Sequence, residues 1–206
     1  MEILHLRFLS LVHLFALINL ITKLIGYSNI AVWLFPPFKQ FKGGFFCYFL
    51  ILALMDPLVT VGYALFKVNI SYIYAPSSFL LLLSALYYTR SLSRKTLIYC
   101  LIISFALLFF PDNKSLLYLT VFFHIIIFLS FLIVFIRKYF FRNLFYLYFF
   151  VLIYYQFSVV LKILLYIFGS LTGIFFLNLL NVLDVLVGCY FIFYNLQNSY
   201  KHHLKH

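Results

Sequence analysis

Apolar residues run in blocks of 16 to 25 positions, separated by short clusters that carry most of the charge. Seven such blocks follow one another: Leu6–Tyr27, Phe45–Phe66, Tyr72–Thr89, Thr96–Pro111, Ser115–Ile136, Leu144–Phe168 and Thr172–Asn195. A helix rising 1.5 Å per residue needs about 20 residues to cross a hydrocarbon core of roughly 30 Å. The pattern therefore predicts an all-α fold, a polytopic membrane helix bundle of seven transmembrane helices. The fourth block is the shortest, ended by Pro111-Asp112-Asn113-Lys114. Ala31–Phe38 is also apolar but carries Pro36-Pro37, which a membrane helix does not readily continue through, so it reads as an interfacial segment.

The breaks between blocks set an orientation. Lys39 and Lys42 follow helix one; Arg90, Arg94 and Lys95 follow helix three; Arg137, Lys138 and Arg142 follow helix five; Lys201 and Lys205 close the chain. In a seven-helix chain those ten residues share one side, against Arg7, Lys67 and Lys114 on the other. Basic loops stay on the cytoplasmic side, which predicts the N-terminus outside and the C-terminus inside. The expected place is an inner, cytoplasmic-type membrane; an organellar inner membrane has the same features.

Composition agrees. The chain is 67% hydrophobic and 9% charged, where soluble domains run at roughly 45–50% and about 25%. No polar linker divides it, so residues 1–206 read as a single transmembrane domain. The net charge of +11 does not indicate nucleic acid, because the basic residues sit between apolar runs and form no soluble face. The expected partners are the lipid bilayer and other membrane-protein subunits. Cys47, Cys100 and Cys189 lie inside apolar blocks without a CxxC pair and read as buried free thiols. The first block lacks the cleavage-site layout of a signal peptide, so the first helix is expected to stay. Abundant Phe (29) and Tyr (18) suit lipid-facing belts, but a genome-wide compositional bias gives the same counts.

Candidate chemistry is confined to polar groups inside the blocks, where an ionisable side chain costs at least about 2.5–3.5 kcal/mol and usually finds a partner. Asp56, at the centre of helix two before Pro57, shares a face with Thr60 and Tyr63; it reads as a kinked ion site or as a structural acid bonded to a neighbouring helix. Asn178, Asn181, Asp184 and Gly188 form a stripe on helix seven, suited to lining a path or to helix packing. Lys162, with Tyr155 and Ser158 on its face, lies at a depth comparable with Asp184, and an ion pair between them is predicted. His13 and His124 fall at similar depths, but one histidine per helix makes no ligand set, so no metal and no cofactor is expected. Lys23 is placed near the inner end of helix one, where it can snorkel. The last helix has no lysine for a retinal Schiff base. HExxH, GxSxG, Walker and CxxC motifs are absent. The acids Asp56 and Asp184 would be the pair of an intramembrane hydrolase. No internal repeat of the kind that builds many transporters is evident.

The mid-helix acid Asp56, the run Asn69-Ile70-Ser71-Tyr72-Ile73-Tyr74 leading into Leu80–Tyr88 and a basic loop, and the Asn-bearing closing helix Phe175–Asn195 together resemble a group of seven-helix membrane proteins of similar length in Bacteroidota-type bacteria. The resemblance implies the topology. It implies no activity, since the group has none assigned. Where that group often carries a glutamate early in helix three, this chain has Ser77-Ser78. Function therefore reads as a sensory or accessory module or a subunit of a larger complex. A small transporter or channel lined by Asp56, His124, Lys162, Asn181 and Asp184, or a lipid-modifying or hydrolytic enzyme, are the alternatives.

Overall fold

The computed structural model describes residues 2–41, 43–89, 112–142, 144–169, 171–194 and 201–203. Seven helices appear among them: α1 Glu2–Trp33, α2 Pro36–Gln40, α3 Phe46–Phe66, α4 Ile70–Thr89, α5 Asn113–Arg142, α6 Leu147–Phe168 and α7 Leu171–Phe193. The expected fourth helix, Thr96–Pro111, lies outside the described residues. Among the described residues, six stretches are long and apolar enough to cross a bilayer, the first of them formed by α1 and the short α2 together over Ala16–Gln40. The chain is thus a helical, multi-pass membrane protein. Extended backbone among the described residues is limited to β1, Leu144–Tyr146, paired antiparallel with β2, Lys201–His203.

Side-chain contacts give each helix a direction. Phe45 lies against Tyr88 and Asp56 against Tyr74, so α3 and α4 run antiparallel. His124 meets Gln156 and Phe135 meets Phe150, which makes α5 and α6 antiparallel. The pairs Ser158–Asp184 and Tyr148–Phe191 do the same for α6 and α7. Thr22 with Asn178, and Val32 beside Gly188, instead set α1 parallel to α7. α4 and α5 are also parallel: Ser71 Oγ donates to Asn113 Oδ1 at 3.0 Å, Ser78 meets His124, and Phe79 packs on Phe123.

One end of the bundle gathers α2 with Lys39, the close of α4, and the α5–α6 junction with Arg137, Lys138 and Arg142. We call it the basic end. At the opposite end lie Lys67 and Gly169, both with positive φ, which close α3 and α6 by returning N–H groups to the last free carbonyls. The half toward the basic end is filled by aromatic rings: Trp33, Phe45, Tyr48, Phe49, Phe149 and Phe191 are all buried and in mutual ring contact. In lipid, such packing takes the place of a hydrophobic drive between helices.

Several expectations need correction. The first helix does not stop at Tyr27. It continues to Trp33, because its last turns pack on Gly188 and Phe191 of α7. Ala31–Phe38 is not a separate segment: Ala31 to Trp33 belong to α1, and after a break at Leu34–Phe35 the buried Pro36 and Pro37 open α2, where proline needs no N–H partner. Lys23 consequently lies at the height of Asn178, toward the end opposite the basic one, with its side chain exposed. Tyr63 does not share the surroundings of Asp56; it is exposed, with Lys67 Nζ 5.4 Å from its ring centre. Cys47 is exposed and Cys189 half-buried, because each turns partly outward on its helix, and Cys100 lies outside the described residues.

Candidate functional site

A cavity of about 290 Å³ lies between the helices, with walls from α1, α3, α4, α5, α6 and α7. It runs from mid-bundle, where Met55 and Asp184 line it, to the end opposite the basic one, where Ile70, Leu117 and Tyr166 form its rim. A water molecule's share of liquid is about 30 Å³, so the space suits a small solute or several waters.

Three charged side chains line it: Asp56, Lys162 and Asp184. Lys162 and Asp184 form a direct salt bridge through Nζ and Oδ2. Ser158 Oγ donates to the other carboxylate oxygen of Asp184 at 2.8 Å, and Lys162 Nζ also donates to Asn181 Oδ1 at 3.1 Å. Asp184 is 1% exposed and the Lys162 side chain 19%, so the acid is sealed behind an ammonium that faces the cavity. The pair arises because Ser158 and Lys162 are one helical turn apart on α6, while Asn181 and Asp184 are nearly one turn apart on the facing helix.

Asp56 is held differently. Tyr74 Oη donates to its Oδ1 at 2.7 Å, and Oδ2 has no hydrogen-bond partner among the described residues. Pro57 lies inside α3 and frees a carbonyl one turn back, while Thr60 Oγ1 donates to the Asp56 carbonyl at 2.9 Å. On α1, Asn29 lines the same wall with 8% exposure, and its Oδ1 is likewise unpartnered.

His124 is not on the cavity wall. One turn beyond the lining residue Thr120, it is fully buried between Ser78, 3.1 Å from Nε2, and Gln156, whose Oε1 is 2.7 Å from Nδ1. Gln156 Oε1 can only accept, which puts the ring proton on Nδ1 and leaves Nε2 to accept from Ser78 in the neutral imidazole. Gln156 Nε2 in turn donates to Tyr48 Oη. Farther toward the basic end, Tyr148 Oη donates to Gln40 Oε1 at 3.2 Å, and Gln40 Nε2 to the Tyr194 carbonyl at 3.0 Å. His13's side chain lies outside the described residues.

The stripe on α7 divides between two neighbours. Asn181 and Asp184 turn to α6, whereas Asn178 Nδ2 donates to Thr22 Oγ1 of α1 at 2.9 Å and Gly188 receives Val32 and Trp33. Of the sequence candidates, the cavity thus joins Asp56, Lys162, Asn181 and Asp184, and leaves His124 and Asn178 in helix contacts. Sequence reasoning missed Asn29, Tyr74, Ser78 and Gln156. A polar residue isolated in an apolar block, such as Gln156, was the available signal. Compared with family models, with curated proteins and with solved structures, the chain finds no match.

Proposed function

We propose that the protein is a seven-crossing membrane module, N-terminus outside and C-terminus inside, that binds a small polar solute in a cavity facing the outside, and that it serves as a sensory or accessory component or as a subunit of a membrane assembly. The cavity carries this reading, because four polar candidates, Asp56, Lys162, Asn181 and Asp184, converge on a space large enough for a small solute and closed toward the basic end by aromatic packing. Seven crossings are supported by the parallel packing of α4 and α5: Thr89 and Asn113 stand at opposite ends of the bundle, about 30 Å apart by the length of α4. The orientation is supported by the concentration of basic residues at one end.

A carrier is the second reading. The bonded chain Ser78–His124–Gln156–Tyr48 favours it, since it continues polar groups from beneath the cavity into the aromatic plug. A hydrolytic use of Asp56 and Asp184 has less support, because Asp184 is committed to Lys162 and Ser158.

Cysteine labelling tests the reading. In a background with Cys47, Cys100 and Cys189 replaced by serine, Leu117→Cys on the rim is expected to react with a membrane-impermeant thiosulfonate added outside intact cells. Ile127→Cys, at a fully buried position on the same helix, is expected to stay unmodified. Absence of labelling at position 117, or labelling only from the cytoplasmic side, defeats the outward cavity. Uptake of solute by reconstituted vesicles would favour the carrier over the sensory module.

A further inference from the structure

We infer that the ligand of this cavity is a small organic cation, a primary or substituted ammonium, held by the free carboxylate oxygen of Asp56; the inference rests on the cavity receiving a solute from outside. The charges on the wall are two carboxylates and one ammonium. Lys162 and Asp184 neutralise each other in a salt bridge completed by Ser158 and Asn181. One negative charge, on Asp56, is left over at mid-bundle. An ionised group at that depth requires a partner of opposite sign, and Asp56 Oδ2 has none among the described residues.

The neighbouring groups suit the same ligand. Asn29 Oδ1 is a buried acceptor without a donor among the described residues, and leaving such an atom unpaired costs about 1–3 kcal/mol. An ammonium carries several N–H donors, so one held at Asp56 Oδ2 has others to offer the polar wall to which Asn29 belongs. Tyr74, Tyr155 and Tyr166 also line the wall, and aromatic rings attract cations, including substituted ammoniums that have few donors. An anionic solute would meet the charge of Asp56. A neutral one would leave that charge uncompensated. The volume of about 290 Å³ exceeds what a bare metal ion fills, and among the described residues no three metal-binding side chains gather.

Trp33 supplies the readout. It is the single tryptophan of the chain, and its ring centre is 4.4 Å from that of the lining residue Tyr155. The full-length protein in lipid nanodiscs is titrated with n-butylammonium and with tetramethylammonium, and in parallel with n-butanol and butyrate. Saturable change of Trp33 emission is expected for the two cations alone. Asp56→Asn keeps the size and the acceptor for Tyr74 but removes the charge; it is expected to weaken binding about tenfold or more, and Asp56→Glu to recover most of it. Asn29→Leu, which alters no charge, is expected to weaken binding several-fold. Equal binding of butanol or butyrate, or cation binding unchanged in both Asp56→Asn and Asn29→Leu, overturns the ligand class while the cavity stands. No response to any probe in a protein whose position 117 is labelled from outside also overturns it. Failure of labelling at position 117 removes the cavity reading itself.

Discussion

At the scale of single residues, the decisive balance is between desolvation and pairing. Removing one partner of a buried ion pair costs about 3–5 kcal/mol, because the survivor keeps its desolvation penalty without its counter-charge. Asp184, 1% exposed, is the more exposed to this effect energetically, since it cannot reach water. Lys162→Met is therefore expected to lower the thermal midpoint in detergent sharply, and Asp184→Asn to do so less, because asparagine can still accept from Ser158 and Lys162 Nζ keeps Asn181. The double variant is expected to be more stable than Lys162→Met alone. Equal or lower stability of the double variant would show that the two charges contribute independently. This pair was legible in the sequence because each charge stands alone in an apolar block at comparable depth, and a lone charge must find its complement. Asn29, Tyr74 and Gln156 were not legible in the same way. A neutral polar side chain does not demand a partner strongly enough to reveal its facing helix, and Tyr74 is one of 18 tyrosines.

At the scale of elements, helix ends and close approaches were harder to read than helix existence. The apolar pattern located α3 to within a residue, but it closed the first helix at Tyr27, where Ser28 and Asn29 look like a loop. Packing on α7 carries α1 on to Trp33, and that contact depends on Gly188. A Cβ at Gly188 would lie 2.6 Å from Val32 Cγ1, too close for that side chain to stay in place, and would touch Trp33 Nε1 at 3.4 Å. Gly188→Ala is expected to destabilise by about 1–3 kcal/mol and to shift Trp33 emission. Gly26→Ala, where nothing lies within 4 Å, is expected to be neutral or stabilising by up to about 1 kcal/mol; the same loss at both sites would mean that α1 does not pack through Gly188. The start of α5 rests on Asp112 as a cap. Its carboxylate accepts from Ser115 Oγ at 2.6 Å and from the backbone N–H groups of Lys114 and Ser115. These bonds, Ser115 Oγ foremost, hold the carboxyl below its ordinary value of 3.8. A pKa lowered by folding gives stability that is present above pH 3.8 and is lost as pH falls through the lower folded value. Asp112→Ala is thus expected to melt below the wild type at pH 7, and the gap to narrow as the pH is taken below 3.8. A gap independent of pH would remove the cap from the account.

At the scale of the whole molecule, two unrelated considerations bear on how many times the chain crosses. Loop charge was visible in the sequence, ten basic residues on one side against three on the other in a seven-helix chain. The direction of each helix was not, because it depends on which side chains meet. Antiparallel pairing is the ordinary outcome for helices joined by short loops, and α3–α4, α5–α6 and α6–α7 obey it. α4 and α5 depart from it by packing side by side in parallel, with their N-terminal ends bonded through Ser71 and Asn113. If both starts lie outside, Thr89 is inside and the chain has to return between residues 89 and 113. Reporter fusions separate the outcomes. Green fluorescent protein joined after Thr89, after Arg142 and after His206 is expected to fluoresce, as a cytoplasmic reporter does, while alkaline phosphatase joined after Lys67, after Asn113 and after Gly169 is expected to be active, as it is only outside. Fusions after Thr89 and after Asn113 that report the same side would remove the crossing between them and leave six. In that case the parallel contact of α4 and α5 would be untenable, and with it the cavity wall that Tyr74 and Thr120 share, because two helices entering from opposite faces cannot set Ser71 against Asn113 and Ser78 against His124 at once.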